Sequence, residues 1–385
     1  MPRTLILALA FCVLQGSPLA AQEKKKPLQE SAEFFASGKV VFLTIDLAPK
    51  ELEALRREPR KYVKATLKEG DKIVFQDVGI HLKGAAGSFR GIDDKPGLTL
   101  NMNKFVDDQL FHGMDKFHLA NSVQDPSYVA ELVCGELFRA AGVPASRISH
   151  AVVTVNGRRR GLYYLKEGYD KYFLSQYFKN THGNFYDGGF LRDIDQPLEL
   201  LRGKDDVKDR ADLKALAAAA KEKDPKIRFQ KMEKLLDLDK FVTFLVLESV
   251  TWDWDGYPMN RNNYRIYHEP KLDKIIFIPS GMDQMFSNPG GPVLPDFQGL
   301  IAHNLMSTPQ GRALYFEKMD HVMKNVYNPE ALGKRLDELQ ERIQPVLASI
   351  DAGAGRDYPQ HINRMKQAIQ QRAKSIDTQL KQQKK

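Results

Sequence analysis

The chain has 385 residues, 42% of them hydrophobic, and 57 Lys and Arg against 49 Asp and Glu give a formal net charge of +8. That length suffices for one large core or two lobes. Part of the positive excess lies at the ends, in Lys24–Lys26 and in Lys381, Lys384 and Lys385. No basic helix or aromatic-interleaved basic strip stands out, which weighs against a nucleic-acid partner.

Arg3, the apolar run Leu5–Leu14 and the small residues of Ser17-Pro-Leu-Ala-Ala-Gln22 read as a secretory signal peptide over residues 1–21, cleaved after Ala21. The apolar run is shorter than the roughly 20 residues that span a bilayer. No later stretch is long and apolar enough to be a transmembrane segment. The protein is therefore expected to be exported, to the periplasm, the cell surface or the exterior. Cleavage would leave Cys134 as the only cysteine, in a helical apolar pattern that reads as a buried thiol, so the core has to hold the fold without an intrachain disulfide.

Residues 22–38 are charged and aperiodic and read as a linker. Residues 39–168 read as strand-rich. Lys39–Asp46 alternates, Pro49–Arg57 is a short helix, and Tyr62–Lys68 with Lys72–Phe75 forms a hairpin. Val78–Lys83 is a further strand, running into the glycine-rich turn Lys83–Gly91, and Gly97–Lys104 alternates again. From Ser127 to Ala141 the period becomes helical, with Ser127 as N-cap and Gly142 as stop. His150–Val155 and Gly161–Lys166 form a second hairpin around Asn156-Gly157, a type I′ signal whose loop Arg158–Arg160 could lengthen.

Residues 169–328 read as helical with one embedded hairpin. Helices are expected at Tyr169–Phe178, Asp205–Lys221, Leu238–Thr251 and Thr308–Asn325. Residues 329–385 form a C-terminal helical extension of two amphipathic helices. This order of strands first and helices later gives an α+β chain, not a doubly wound parallel sheet.

The chemistry concentrates in Thr251–Phe286, which holds both tryptophans. Tyr264–Tyr267 and Ile275–Ile278 read as a hairpin turning at Glu269–Asp273. Folding it brings Asp255, Asn260 and Asn263 toward Asp283. These are hard oxygen donors suited to Mg²⁺, Mn²⁺ or Ca²⁺ rather than zinc. The spacing after Asp253 does not fit an EF-hand, because Gly256 and Tyr264 stand at the wrong positions. The order Asp, short gap, Asn, hairpin, Asp is that of the catalytic and metal loops of protein kinases. Lys83 opens a turn able to present backbone N–H groups to phosphate. Glu167, at a strand end, could aim Lys95 or Lys83 at a nucleotide. The scattered histidines make no zinc-hydrolase pattern, and no G-x-S-x-G elbow is present.

Four blocks resemble the CotH kinase-like family, secreted or surface proteins with a divergent protein-kinase fold. They are Val78–Gly84; Lys95-Pro-Gly-Leu-Thr-Leu-Asn101; Gly161–Asp170 with Gly183-Asn-Phe-Tyr186; and Asp255–Tyr264 with Phe277–Phe286. The resemblance covers Val40 to Phe286 and implies a two-lobed kinase-like fold that uses ATP with Mg²⁺ or Mn²⁺. It implies Asp255 as catalytic base, Asn260 or Asn263 with Asp283 as metal ligands, and Lys95 with Glu167 as the nucleotide-positioning pair. The family's Arg-Gly-Asn-Ser turn is Lys83-Gly84-Ala85-Ala86 here, and its Trp-Asp pair is Ser280-Gly281. The expected activity is phosphorylation of Ser or Thr on a secreted or cell-surface protein. The alternative is a kinase-like binding or surface-assembly protein without turnover, and a metal-dependent hydrolase using the same carboxylates is a more distant third reading.

Overall fold

The computed structural model describes residues 26–203 and 210–383. The expected signal peptide and the start of the expected helix from Asp205 lie outside the described residues. Residues 22–38, expected as a linker, contain helix α1 (Pro27–Ser37). It starts on Pro27 and stops at Gly38, whose φ of 62° is the left-handed conformation that favours glycine. Phe34 faces inward and packs on Phe111, a long-range contact with no signature in the local sequence.

Seven strands then close a barrel: β1 (Val41–Asp46), β2 (Val63–Glu69), β3 (Ile73–Lys83), β4 (Gly97–Asn101), β5 (Lys116–Ala120), β6 (Ile148–Val155) and β7 (Arg158–Glu167). Their order around the barrel is β1-β2-β3-β4-β5-β7-β6. Neighbours run antiparallel except at the seam, where β1 and β6 are parallel. The alternation read in the sequence fills the barrel with Leu43, Ile45, Ile80, Leu98, Phe117 and Leu165. The two strands expected on either side of Asp77 are one strand, β3, carrying a register shift against β2 and a φ of 52° at Asp77. Asn156 and Gly157 both have positive φ, 45° and 75°, and Val155 pairs with Arg158. The loop is the two-residue type I′ turn, and the arginines enter β7 instead of lengthening it. Short α2 (Pro49–Arg57) lies where it is expected.

The rest of the chain is mostly helical. Helix α3 (Ala130–Ala140) follows β5. Asp125, not Ser127 alone, satisfies its start, accepting from Ser127 N at 2.9 Å and Ala130 N at 3.1 Å. Then come α4 (Lys171–Tyr177), β8 (Phe185–Asp187), β9 (Glu199–Arg202), α5 (Ala211–Ala220), α6 (Pro225–Leu235), α7 (Leu238–Val250), α8 (Tyr257–Asn260), β10 (Tyr264–Glu269) and β11 (Lys274–Pro279). The expected hairpin is β10–β11, paired from Tyr264↔Pro279 to Glu269↔Lys274. It belongs to a four-stranded sheet ordered β11-β10-β8-β9. Helices α9 (Leu300–Met306), α10 (Pro309–Asn325), α11 (Pro329–Ile350) and α12 (Ala352–Gln383) complete the chain. One core runs from Val152 and Leu162 on the outer face of the barrel through α3 and α7 to Leu339, Ile343, Ile362 and Ile369. The last two helices, expected as an extension, are thus part of the main core.

Candidate active site

Helix α7 is buried on every side from Phe241 to Val250, and its N-terminus is capped by Asp237, which accepts from Lys240 N at 3.1 Å. At its C-terminus Trp252 turns the chain with a φ of 53°, and Asp253 N donates back to Glu248 O at 2.8 Å. Gly256 lies directly against the Glu248 carboxylate, where any Cβ would collide. Glu248 and Asp253 are both buried, and burial, reinforced by their neighbours' negative charge, pushes both carboxyls well above the usual range. They form the scaffold behind the next residue, Asp255.

Asp255 is held by three asparagines. Its Oδ1 accepts from Asn260 at 2.6 Å, and its Oδ2 from Asn262 at 3.1 Å and Asn263 at 2.9 Å. Arg261 and Asn263 both have φ above 50°, so two left-handed residues feed the chain into β10. With its Nδ2 on Asp255, Asn263 turns its Oδ1 to Gly281, 2.5 Å from where a Cβ would stand. Gly281 also has a φ of 63°, so glycine is required here twice over.

Asp255, Asn263 and Asp283 line one cleft of about 860 Å³. Its opposite wall is the outer face of the barrel, including Lys83, Ala85 and Ala86 from the glycine-rich turn. Strand pairing sets His81, Thr99, His118 and Lys166 in one row across β3, β4, β5 and β7. Lys166 is ion-paired with Glu131 of α3, and each side chain is 4% exposed. Glu131 Oε1 also accepts from Gly281 N at 3.1 Å, so one carboxylate ties the barrel, α3 and the Asp283 loop together.

The electrostatics follow from this crowding. Burial pulls the Lys83 ammonium down to about 8, and Lys166 adds to the effect. Burial pushes Asp283 up to about 7, assisted by Glu131 and Asp125. Burial also drives His118 well below its usual value, and the nearby lysines add to it, so the ring is neutral. Burial disfavours the charged forms of Glu131 and Lys166, but their mutual attraction outweighs it, holding Glu131 below and Lys166 above its ordinary value.

Four of the residues expected at the site, Lys83, Asp255, Asn263 and Asp283, therefore face one space. Three do not. Asn260 is used to orient Asp255 and does not line the cleft. Lys95 donates to the Tyr128 hydroxyl at 3.0 Å and lies over the rings of Tyr128 and Tyr163. Glu167 binds Arg147 at 2.5 Å and Gln176 at 2.6 Å. Lys95 and Glu167 are thus not partners. The charged pair in the cleft is Lys166–Glu131, one residue away from Glu167 along β7. Side chains alternate across a strand, so Lys166 shares the outer face with Leu162 and Tyr164, while Glu167 does not. Asn262, one of the oxygen donors of the Thr251–Phe286 stretch, also lines the cleft, and so does Arg265, which no motif marked.

Residues 80–376 match the family described as CotH kinase protein, and the chain belongs to that family. The match extends beyond Phe286 into α12, in keeping with the shared core. Inner spore coat protein H of Bacillus subtilis is 22% identical over 260 residues, 63% of this chain and 71% of that protein. Invasin CotH3 of Rhizopus delemar is 22% identical over 307 residues, 71% of this chain and 50% of the invasin, so the chain spans about half the length of that relative. The Helicobacter pylori proinflammatory kinase CtkA aligns over 76% of this chain and 96% of its own, with 6% identity and a TM-score of 0.32, too low to argue from.

Among the described residues, no three His, Cys, Asp or Glu side chains converge as a metal cage. Mg²⁺ is commonly held by one or two carboxylates, with waters and substrate phosphates completing the octahedron. Asp283 and Asn263, which both line the cleft, carry the oxygen types of that partial donor set.

Proposed function

We propose that this chain is an exported, two-lobed, kinase-like phosphotransferase that moves phosphate from ATP to Ser or Thr of a secreted or cell-surface protein. The observation that carries the reading is the shared cleft. An acidic acceptor (Asp255), a metal-type donor pair (Asn263 and Asp283) and cations (Lys83 and Lys166) face one cavity large enough for a nucleotide. Phosphoryl transfer needs this set: a base at the attacking hydroxyl, and positive charge on the phosphates.

In this reading Asp255 accepts the hydroxyl proton. Its three amide donors fix the carboxylate's direction and leave acceptor capacity, since a carboxylate has about four lone-pair sites. Lys83 and Lys166 bind phosphate oxygens from the barrel side, and Glu131 holds Lys166 in place. Asp283 and Asn263 would hold Mg²⁺ or Mn²⁺, which when bound supplies charge neutralisation for the transferred group. The family membership supports the kinase-like chemistry, and the coat and invasin names of relatives support a surface or exported location.

Ser280-Gly281, which leaves Asp283 as the one acidic metal donor of its loop, favours a second reading: a kinase-like binding or surface-assembly protein without turnover. Transfer of radiolabel from ATP with Mg²⁺ or Mn²⁺ separates the two. Wild type is expected to label acceptor protein or itself, and Asp255→Ala and Asp283→Ala to lose at least about a hundredfold, the scale of general-base and electrostatic contributions. Equal labelling by all three would discard the kinase reading, and nucleotide binding without transfer would support the second.

A further inference from the structure

Arg265 is a charged side chain in the cleft that neither the motifs nor the proposed chemistry uses. It is the second residue of β10, just past the left-handed Asn263. Both side chains line the cleft beside Asp283. The guanidinium is one-fifth exposed. Its Nη2 pairs with Asp187 Oδ2 of β8 at 2.9 Å, and its Nη1 donates to Tyr264 O at 2.8 Å. It packs over the Tyr169 ring at 5.5 Å, and Lys166 lies over the same ring at 5.6 Å. Its Nε is buried with no partner. Buried guanidinium donors are ordinarily satisfied.

The charges around it are of both signs, with Glu131, Asp187, Asp255 and Asp283 lining the same cleft. The positive charge of Arg265 reaches Lys83, Lys166 and His118, lowering the proton affinity of each. Lys83, Lys166 and Arg265, from β3, β7 and β10, thus lie within electrostatic reach of one another, with Glu131 paired to Lys166 and Asp187 to Arg265. A polyanion entering the cleft from the barrel side would meet all three cations. The fork is held by Asp187 at Nη2, by Tyr264 O at Nη1 and by the Tyr169 ring, and each terminal nitrogen keeps a second N–H for the bidentate contact with a phosphoryl group that a lysine cannot make.

We propose that Arg265 is the residue that recognises the terminal phosphoryl group of a nucleoside triphosphate, with Asp187 holding the fork in position. The proposal rests on the nucleotide reading of the cleft given above. It assigns the triphosphate-over-diphosphate preference of the site to Arg265, while Lys83 and Lys166 serve the phosphates common to both.

Calorimetry on the full chain with Mg²⁺ and either a non-hydrolysable ATP analogue or ADP tests it. Wild type is expected to bind the triphosphate more tightly. Arg265→Gln is expected to lose ten- to a hundredfold in triphosphate affinity while ADP affinity stays within about twofold, as for loss of one charge-assisted fork. Arg265→Lys should lie between them, because it keeps the charge and loses the fork. ADP binding reports that the variant is folded. Equal losses for both ligands, or no loss, would overturn the assignment of Arg265 and leave the nucleotide site standing. Failure of wild type to bind either ligand would overturn the nucleotide reading and this assignment with it.

Discussion

Asp283 is half-buried in company that opposes its charge, and its stability effect has a definite sign. Its carboxyl, pushed up to about 7 in the folded protein, returns to about 3.9 on unfolding. Between those values the folded state binds more protons than the unfolded one, so this residue removes stability as pH rises from about 4 to about 7, and the loss is constant above that. Asp283→Asn is therefore expected to melt higher than wild type without nucleotide and metal. Its advantage should grow from pH 4 to pH 7 and level off by pH 8 in thermal denaturation scans. A constant advantage across that range would show that Asp283 is not held in its neutral form. Saturating Mg²⁺ and nucleotide should reverse the order, because a bound cation favours the ionised carboxylate.

At the scale of elements, Arg372 joins α12 to the turn that precedes Asp255. Arg372 is fully buried and has no carboxylate partner among its hydrogen bonds. It donates to Ser249 O at 2.6 Å and Val250 O at 3.1 Å, the last carbonyls of α7, and to Gly291 O at 2.5 Å. It also lies over the Trp252 ring at 5.5 Å. A cation at a helix C-terminus satisfies orphan carbonyls and complements the dipole. It also fixes the turn at Trp252 that delivers Asp255. Arg372→Ala is expected to lower unfolding free energy by about 3 kcal/mol or more, since several buried carbonyls lose their donor. Urea denaturation measures this. A loss under about 1 kcal/mol would mean that water replaces the guanidinium.

At the scale of the whole molecule, Glu131 is the junction. It joins the barrel through Lys166 and the Asp283 loop through Gly281 N. Removing its charge strands a buried ammonium, so Glu131→Gln is expected to cost about 3–5 kcal/mol. The double variant Glu131→Gln with Lys166→Met should recover most of that loss in chemical denaturation, because an apolar replacement of a buried pair is often neutral or better. It should not recover nucleotide affinity. Recovery of both would remove Lys166 from the nucleotide site.

The sequence by itself determined the order of elements, because alternation and helical period are local signals. The β6–β7 turn, α7 and the β10–β11 hairpin were legible for that reason, as were Asp255, Asn263 and Asp283, which lie within one short stretch. The altered Ser280-Gly281 was legible too, but not its consequence, that Gly281 gives room to Asn263 and a backbone donor to Glu131. Only the tertiary structure decided which lysine and glutamate meet. Lys166 and Glu131 are 35 residues apart, and both faces of β7 are lined with apolar residues. Strand parity alone could not say which face the cleft would occupy. Burial chose between neighbours, leaving Glu167 to Arg147 and placing Lys166 in the site. The joining of α12 to the core was likewise a matter of packing: an amphipathic pattern says that a helix has a buried face, and not what it is buried against.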